Sequence, residues 1–504
     1  MFNKYPRPQL VRDNYQLLNG EWLVNGKTQE VPSCLQDQKI QYEKEFVFNK
    51  IKDRTILHFD GVDQIAKVYL NDNYLGEHIG GYLPFEFEIT NFILEGKNVL
   101  KVEVIDELDK TYPYGKQTLK PSGMWYTPVS GIWKDVWLEQ VPSTYIKDIK
   151  ITPDLKGVDL LITIDDNSNI IEKKQRIDED NPIVWSIDNP HLYYRQVKEK
   201  DDVVTIYYGL RTIEIIDNKI YLNKKPIFIN GVLDQGYWKD NLFLPNDYQG
   251  YIDDIQNMKA LGINLIRKHI KIEPDCFYYE CDRLGILVMQ DMVQSGEFHF
   301  IKEGLLATLG FNFKDRVEKL DERMNFFIEH AKQTQDYLYN HPSIIAYTIF
   351  NEGWGQFNSD DVYKLLKQRD PSRLYDSTSG WFAQKENDFD SLHIYFRLKR
   401  LRPKKRPMIV SECGGYVYNP ENDNVSWGYG KCKSKEELTS AIEKLYDVMI
   451  LPYINRGLCG IIYTQLSDVE GEVNGLYTYD RKILKVDKDR MLKISKKIEE
   501  LLWS

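Results

Sequence analysis

The run His341 to Gly355, HPSIIAYTIFNEGWG, constrains the fold more than any other stretch of the 504-residue chain. Ile344 to Phe350 is almost wholly apolar, rich in β-branched and aromatic residues, and lacks the alternation of a half-exposed strand. Such a run predicts a strand covered on both faces, as in a parallel α/β sheet. It ends in Asn351-Glu352, and Gly353 and Gly355 then allow a sharp turn around Trp354. A carboxylate at the carboxyl end of a parallel strand lies where barrel and open-sheet enzymes place their chemistry.

A second stretch has the same design. In PMIVSECGGY, Pro407 to Tyr416, the short apolar run Met408 to Val410 ends in Ser411-Glu412, followed by Cys413 and two glycines. Strand ends of a (β/α)₈ barrel converge on one pocket, so Glu352 and Glu412 are expected to face each other. Two carboxylates in one cleft cannot both ionise freely. One proton-bearing group and one anion are what a retaining glycosidase needs, with the carboxyls about 5–5.5 Å apart.

On these motifs the chain resembles glycoside hydrolase family 2, the family of β-galactosidases and β-glucuronidases. The resemblance implies that Asn351-Glu352 carries the acid/base at the end of barrel strand four. It implies that Ser411-Glu412-Cys413-Gly414 carries the nucleophile at the end of strand seven. Phe59 to Thr90, with Asn71-Asp72-Asn73 at its hairpin turn, and Gly123 to Pro142, with Ser130-Gly131-Ile132-Trp133, resemble the family's N-terminal jelly roll.

The expected architecture is multidomain. Residues 1–142 read as an all-β jelly-roll sandwich with sugar-binding likeness, from alternating runs such as Tyr42 to Phe48 and Ala66 to Leu70. Residues 143–213 are strand-like but interrupted by a polar run, Asp165 to Asp180. The family's immunoglobulin-like sandwich belongs here, and the segment is short for one, so a reduced form is expected. From 214 to 504, β and α signals alternate as a (β/α)₈ barrel requires. Strand one is expected at Pro226 to Ile229, strand two at Ile263 to Arg267, strand three at Ile286 to Met289, and a long helix at Lys314 to Tyr339. Strands five to eight follow at Leu374–Ser377, Ser391–Tyr395, Met408–Val410 and Gly460–Gln465, with a closing helix over Asp487 to Leu502.

Further site candidates follow from these strand ends. Asn351 is expected on the sugar 2-hydroxyl, a contact that strengthens in the transition state. Arg267 and His269 end strand two and resemble the family's Arg-x-x-His pair, one residue tighter; Arg267 either holds the nucleophile ionised or serves a structural ion pair. His393 and Tyr395 end strand six as sugar- or nucleophile-orienting groups. Asp234, after strand one, is expected to bind two sugar hydroxyls, while Trp354 and Trp381 are stacking candidates. Asp468 and Glu470 either contact substrate or cap a turn. No metal cage stands out, and no metal or other cofactor is expected. The Asn-x-Lys element that reads a uronic acid in family β-glucuronidases is not evident after Glu412, although lysines in Lys431 to Lys435 could substitute.

A net charge of −10 and a pI near 5.5 argue against a nucleic-acid partner. The basic run Arg397 to Arg406 reads as a solvated loop between strands. Six sparse cysteines suit reduced thiols in the cytoplasm, and no window reaches membrane-spanning length. The expected function is a cytoplasmic, retaining exo-β-glycosidase acting on small glycosides or oligosaccharides, foremost a β-galactosidase, and the resemblance allows a homo-oligomer. The alternatives are a β-glucuronidase or another β-glycosidase of the family, a catalytically silent carbohydrate-binding protein, and a metal-dependent barrel enzyme built on Asp291, His269 and His393.

Overall fold

The computed structural model describes residues 5–299, 301–303, 315, 318–395, 397–420 and 427–502. Its N-terminal part is a β-sandwich. A six-stranded sheet contains Lys39–Phe48, Gly96–Ile105, Ile65–Leu70 and Asn73–Ile79; a four-stranded sheet contains Val136–Val141, Arg54–Phe59 and Phe85–Glu88. Strand alternation aims one face of each sheet inward: Ala66, Val68 and Leu70 are buried while Ile65, Lys67 and Tyr69 are half-exposed. They meet Trp22, Phe59, Val102 and Leu138 in a single apolar core. Asn71 and Asp72, both at positive φ, form the two-residue hairpin turn between Ile65–Leu70 and Asn73–Ile79.

The next segment holds a three-stranded sheet, Thr144–Pro153, Gly157–Asp166 and Asn169–Asp178, and a two-stranded one, Tyr193–Glu199 with Asp202–Tyr208. Ile149, Leu160, Ile162, Val204 and Ile206 form a core between them. The polar run expected to interrupt the strands is itself one. Asn169–Asp178 pairs along the whole of Gly157–Asp166 after a turn at Asn167-Ser168, with almost every side chain exposed. An edge strand held by backbone bonds to a buried neighbour needs no apolar face of its own, so hydrophobic periodicity misses it.

Eight parallel strands then form a barrel: Ile229–Asp234, Leu265–Lys268, Leu287–Asp291, Ile344–Asn351, Leu374–Ser379, Asp390–Ile394, Met408–Gly414 and Leu458–Thr464, hereafter strands one to eight. Each pairs with its chain neighbour and strand eight closes on strand one; only strands five and six lack a backbone ladder. Side chains close that seam: Ser391 Oγ lies 3.5 Å from Ser379 Oγ and 3.4 Å from the Gly380 amide nitrogen. Leu233, Leu265, Met289, Ile345, Ile409 and Ile462 point inward and fill the barrel. Trp185, Ile213 and Ile220 join the same cluster, plugging one end with the small antiparallel sheet Ile213–Ile216, Lys219–Leu222 and Lys225–Ile227. Strand one is therefore later than the sequence suggests, because Lys225–Ile227 belongs to the plug.

Helices Gln249–Ala260, Asp275–Leu284, Glu322–Leu338, Ser359–Arg369, Lys435–Leu445 and Lys488–Leu502 follow strands one to four, seven and eight. Among the described residues no helix separates strands five, six and seven, so the β/α alternation is incomplete there. The basic run between strands six and seven is a largely exposed loop. Asp321 N-caps the third helix by accepting from the Met324 amide at 2.8 Å, and Lys314, its expected start, lies outside the described residues. No helix among the described residues is long and apolar enough to cross a membrane, and the six cysteines are unpaired.

Candidate active site

Strand four delivers Asn351 and Glu352 to the barrel's carboxyl end through a tight turn. The Trp354 amide donates to the Asn351 carbonyl at 3.0 Å, with Glu352 and Gly353 between them at φ of 55° and 78°. A Cβ on Gly353 would come within 2.2 Å of the Phe382 ring, so only glycine fits. The Glu352 amide donates to the Ser379 carbonyl at 3.0 Å, tying the turn to strand five. Strand seven delivers Glu412 after a register shift in its pairing with strands six and eight.

The two carboxylates come together. One oxygen of each and a His393 ring nitrogen all lie within 4.8 Å of one another. His393 sits between them, with Nδ1 2.7 Å from Glu352 Oε1 and Nε2 3.5 Å from Glu412 Oε1. Arg267, fully buried, reaches four groups at once: its Nη1 donates to Glu412 Oε1 at 3.1 Å and the Ser411 carbonyl at 3.0 Å, its Nη2 to Asn351 Oδ1 at 2.8 Å, and its Nε to Asp291 at 2.9 Å. The Tyr395 hydroxyl donates to Glu412 Oε2. His269 Nδ1 pairs with Asp291 at 2.6 Å.

These contacts set the charges. Burial pushes the Glu412 carboxyl up, but His393, Arg267 and His269 and the Tyr395 hydrogen bond outweigh it and hold Glu412 well below the ordinary carboxylate range. Burial likewise pushes the Asp291 carboxyl up, but Arg267 and His269 outweigh it and hold Asp291 below its ordinary value. Burial lowers the His269 pKa against the pull of Asp291.

The wall of the pocket comes partly from the N-terminal sandwich. The amides of Tyr114 and Gly115 donate to the Gln294 carbonyl, and the Tyr126 hydroxyl donates to Glu472 after strand eight. The half-buried Trp125 packs edge-on against Trp354, with ring centroids 4.8 Å apart. On the other side Trp381, half-buried, lies 5.8 Å from the His393 ring, and Tyr429 stacks on Tyr395 at 3.9 Å.

Two expected contacts are corrected. Asp234 does not join the carboxylate pair: it shares the helix-facing side of strand one with Val232, where its Oδ2 accepts from Lys268 at 2.5 Å and its Oδ1 from the Gly236 amide. The period-two rule puts it there, since Leu233 takes the inward position. Trp354 offers no stacking face. Only 1% exposed, it is wedged against Tyr114, Trp125 and Phe298, with Nε1 donating to the Gly296 carbonyl. Asn351, Arg267, His269, His393, Tyr395 and Trp381 do gather around Glu352 and Glu412. Trp125, Tyr429, Ser379 and Ser391 carry no signal in the sequence, Ser411 stands there only as the neighbour of Glu412, and Asp291 only as a metal candidate.

Glu352, His393 and Glu412 are also the one group of potential metal ligands within mutual reach among the described residues. Glu352 Oε1 is engaged by His393, and the two Glu412 oxygens by Arg267 and Tyr395.

Residues 18–142 match the sugar-binding domain of glycosyl hydrolases family 2, and residues 213–412 match the same family's TIM barrel domain. The chain belongs to glycoside hydrolase family 2. It is 30% identical over 296 residues to a β-galactosidase of Thermoanaerobacter pseudethanolicus, covering 50% of this chain and 39% of that one. It is 25% identical to the Kluyveromyces lactis β-galactosidase, covering 84% and 47%. The chain thus spans half or less of the length of these family 2 relatives. Among solved structures it is similar in fold to a β-D-glucuronidase from Dictyoglomus thermophilum (TM-score 0.75, 20% identity, 98% of both chains). A β-galacturonidase from Eisenbergiella tayi is similar as well (TM-score 0.72, 19% identity, 98% of both chains).

Proposed function

We propose that the chain is a retaining exo-β-glycosidase that hydrolyses terminal β-linked sugars by double displacement, with Glu412 as nucleophile and Glu352 as general acid/base. One observation carries this reading: one oxygen of each carboxylate and a His393 ring nitrogen all lie within 4.8 Å of one another, with the imidazole between the two groups. A retaining pair stands about 5–5.5 Å apart, whereas an inverting pair is held about 6.5–9.5 Å apart to admit a water between them.

Glu412, kept anionic by Arg267 and its neighbours, attacks the anomeric carbon while Glu352 protonates the departing glycosidic oxygen. Glu352 then takes a proton from the water that releases the sugar from the ester on Glu412. Arg267 holds the Asn351 amide oxygen, which leaves the amide nitrogen to donate to the 2-hydroxyl. Trp381 and Trp125, both half-buried, supply aromatic surface at the rim. The sandwich loop that closes one side of the pocket suits a terminal sugar. Galactoside glycones are the class in the names of the two sequence relatives described above and uronide glycones the class in the names of the two solved structures.

The test is a panel of p-nitrophenyl β-glycosides. Turnover of at least one, lost in Glu412→Ala and restored by azide with formation of the α-glycosyl azide, is expected. Turnover that survives Glu412→Ala would sink the assignment.

A further inference from the structure

His393 stands at the head of a chain of hydroxyls that crosses the seam between strands five and six. Its Nδ1 faces Glu352 Oε1 at 2.7 Å, and its Nε2 faces Ser379 Oγ at 3.1 Å. Ser379 Oγ donates to Ser411 Oγ at 3.1 Å. Ser411 spends its own hydrogen further on, towards Ser391 Oγ at 2.6 Å or the Leu392 carbonyl at 3.4 Å. The His393 side chain, Ser379 and Ser411 are fully buried, so bulk water does not compete for these contacts.

A serine hydroxyl carries one hydrogen. Because Ser379 gives its hydrogen to Ser411, it can only accept from His393, and the hydrogen between them belongs to Nε2. Glu412 calls for the same arrangement. Its Oε1, which also accepts from Arg267, lies 3.5 Å from Nε2 and would repel a lone pair there. With Nε2 committed as a donor, a neutral ring presents a bare Nδ1 to Glu352, and the 2.7 Å contact then needs hydrogen on the carboxyl. An imidazolium facing an ionised Glu352 fills the contact with the same number of protons. In both arrangements one transferable proton lies between Glu352 Oε1 and His393 Nδ1. The tautomer that the chain forbids, a neutral ring with hydrogen on Nδ1 alone, is the one that leaves the acid with nothing to give.

We propose that Ser379 and Ser411 are positioning residues for the general acid: their hydroxyls fix hydrogen on His393 Nε2 and so keep the catalytic proton within the Glu352–His393 pair. This rests on the retaining-glycosidase reading and deepens it. In the first step the proton passes to the glycosidic oxygen as its bond to the anomeric carbon breaks and the bond to Glu412 forms. In the second, water adds to the anomeric carbon, the ester to Glu412 breaks, and a proton from the water refills the pair.

The test is nuclear magnetic resonance of the full chain with isotope-labelled histidine, in which the ring-nitrogen shifts report the tautomer and the His393 signals are those lost in His393→Gln. The wild type is expected to carry hydrogen on His393 Nε2. Ser411→Ala frees the Ser379 hydroxyl to donate to Nε2, so a neutral ring with hydrogen on Nδ1 should appear. In that variant kcat on a disaccharide should fall at least about tenfold more than kcat on a nitrophenyl glycoside, whose leaving group needs little acid help. Adding Ser379→Ala removes the freed donor, so the double variant should regain the Nε2 hydrogen and most of the lost disaccharide kcat, which a role in packing the seam would not bring about. A wild-type ring with hydrogen on Nδ1 alone would overturn the proposal. So would a folded Ser411→Ala variant with an unchanged ring spectrum, or with equal slowing on both substrates. Turnover of no glycoside at all would instead remove the parent reading and the catalytic role with it, whatever tautomer the spectrum shows.

Discussion

His393 Nδ1 lies 2.7 Å from Glu352 Oε1, so the proposed acid/base is held by an imidazole whose other nitrogen faces the proposed nucleophile. Glu352 must be delivered to the leaving oxygen at the moment of bond cleavage, and His393 is the side chain that fixes its angle. His393→Ala is expected to slow hydrolysis of a disaccharide, whose poor leaving group needs a proton, by about 10²–10⁴-fold. Hydrolysis of a nitrophenyl glycoside should slow much less. Equal slowing of both substrates would contradict an acid-positioning role.

Arg267 ties Glu412, Asn351 and Asp291 together in the barrel's interior. Arg267→Met leaves two buried carboxylates short of a cation, a change worth about 3–5 kcal/mol of destabilisation. The Glu412 carboxyl, depressed chiefly because His393 and Arg267 outweigh its burial, rises toward its ordinary value when Arg267 is lost. The acid limb of the kcat/KM profile should therefore move to higher pH. A pH–rate profile with an unmoved acid limb would show that Arg267 does not govern Glu412.

Asp234 belongs to stability rather than to substrate binding. Its carboxyl is held below its ordinary value by Lys268 despite burial. The stabilisation is thus complete above the unfolded aspartate value, about 3.9, and lost as pH falls through the lower folded value. Asp234→Asn should lower stability at neutral pH by about 3–5 kcal/mol, read from denaturant unfolding. KM for the best glycoside should stay within about twofold, since binding lost to a severed sugar contact would cost about tenfold per 1.4 kcal/mol.

Trp354 and Trp125 should separate in the same way. Trp354→Ala empties a buried site between sandwich and barrel and is expected to cost about 3–5 kcal/mol. Trp125→Ala, at a half-buried ring, should cost less stability and act mainly on KM. Calorimetric Tm values and Michaelis curves for the pair decide this, and identical behaviour would mean that Trp125 is packing alone.

The strand ends of the candidate site are legible because a buried parallel strand is an apolar run and its end is marked by the polar residues that break it. Glu352, Glu412 and Arg267 are all of this type. Asp234 misled because it also ends a strand, and only the alternation Val232, Leu233, Asp234 decides which way it points; placing strand one too early hid that parity. Trp354 misled because residue type does not report burial. Trp125 lies in an irregular loop about a hundred positions before the first barrel strand. No local pattern signals that such a loop folds over a distant pocket.

In the order of the barrel sheet, Glu352 and Glu412 belong to strands next to its two free edges, and at the carboxyl end those edges are bridged by the serine hydroxyls at 379, 391 and 411 and the imidazole at 393. The gap between the two carboxyls is thus gauged by how tightly a hydroxyl-laced slit is drawn, without a rigid amide ladder to hold it. Bulkier residues at those serines would prise the slit apart and make space for a solvent molecule, and the stereochemical course of the proposed reaction would then rest on a few hydroxyl groups.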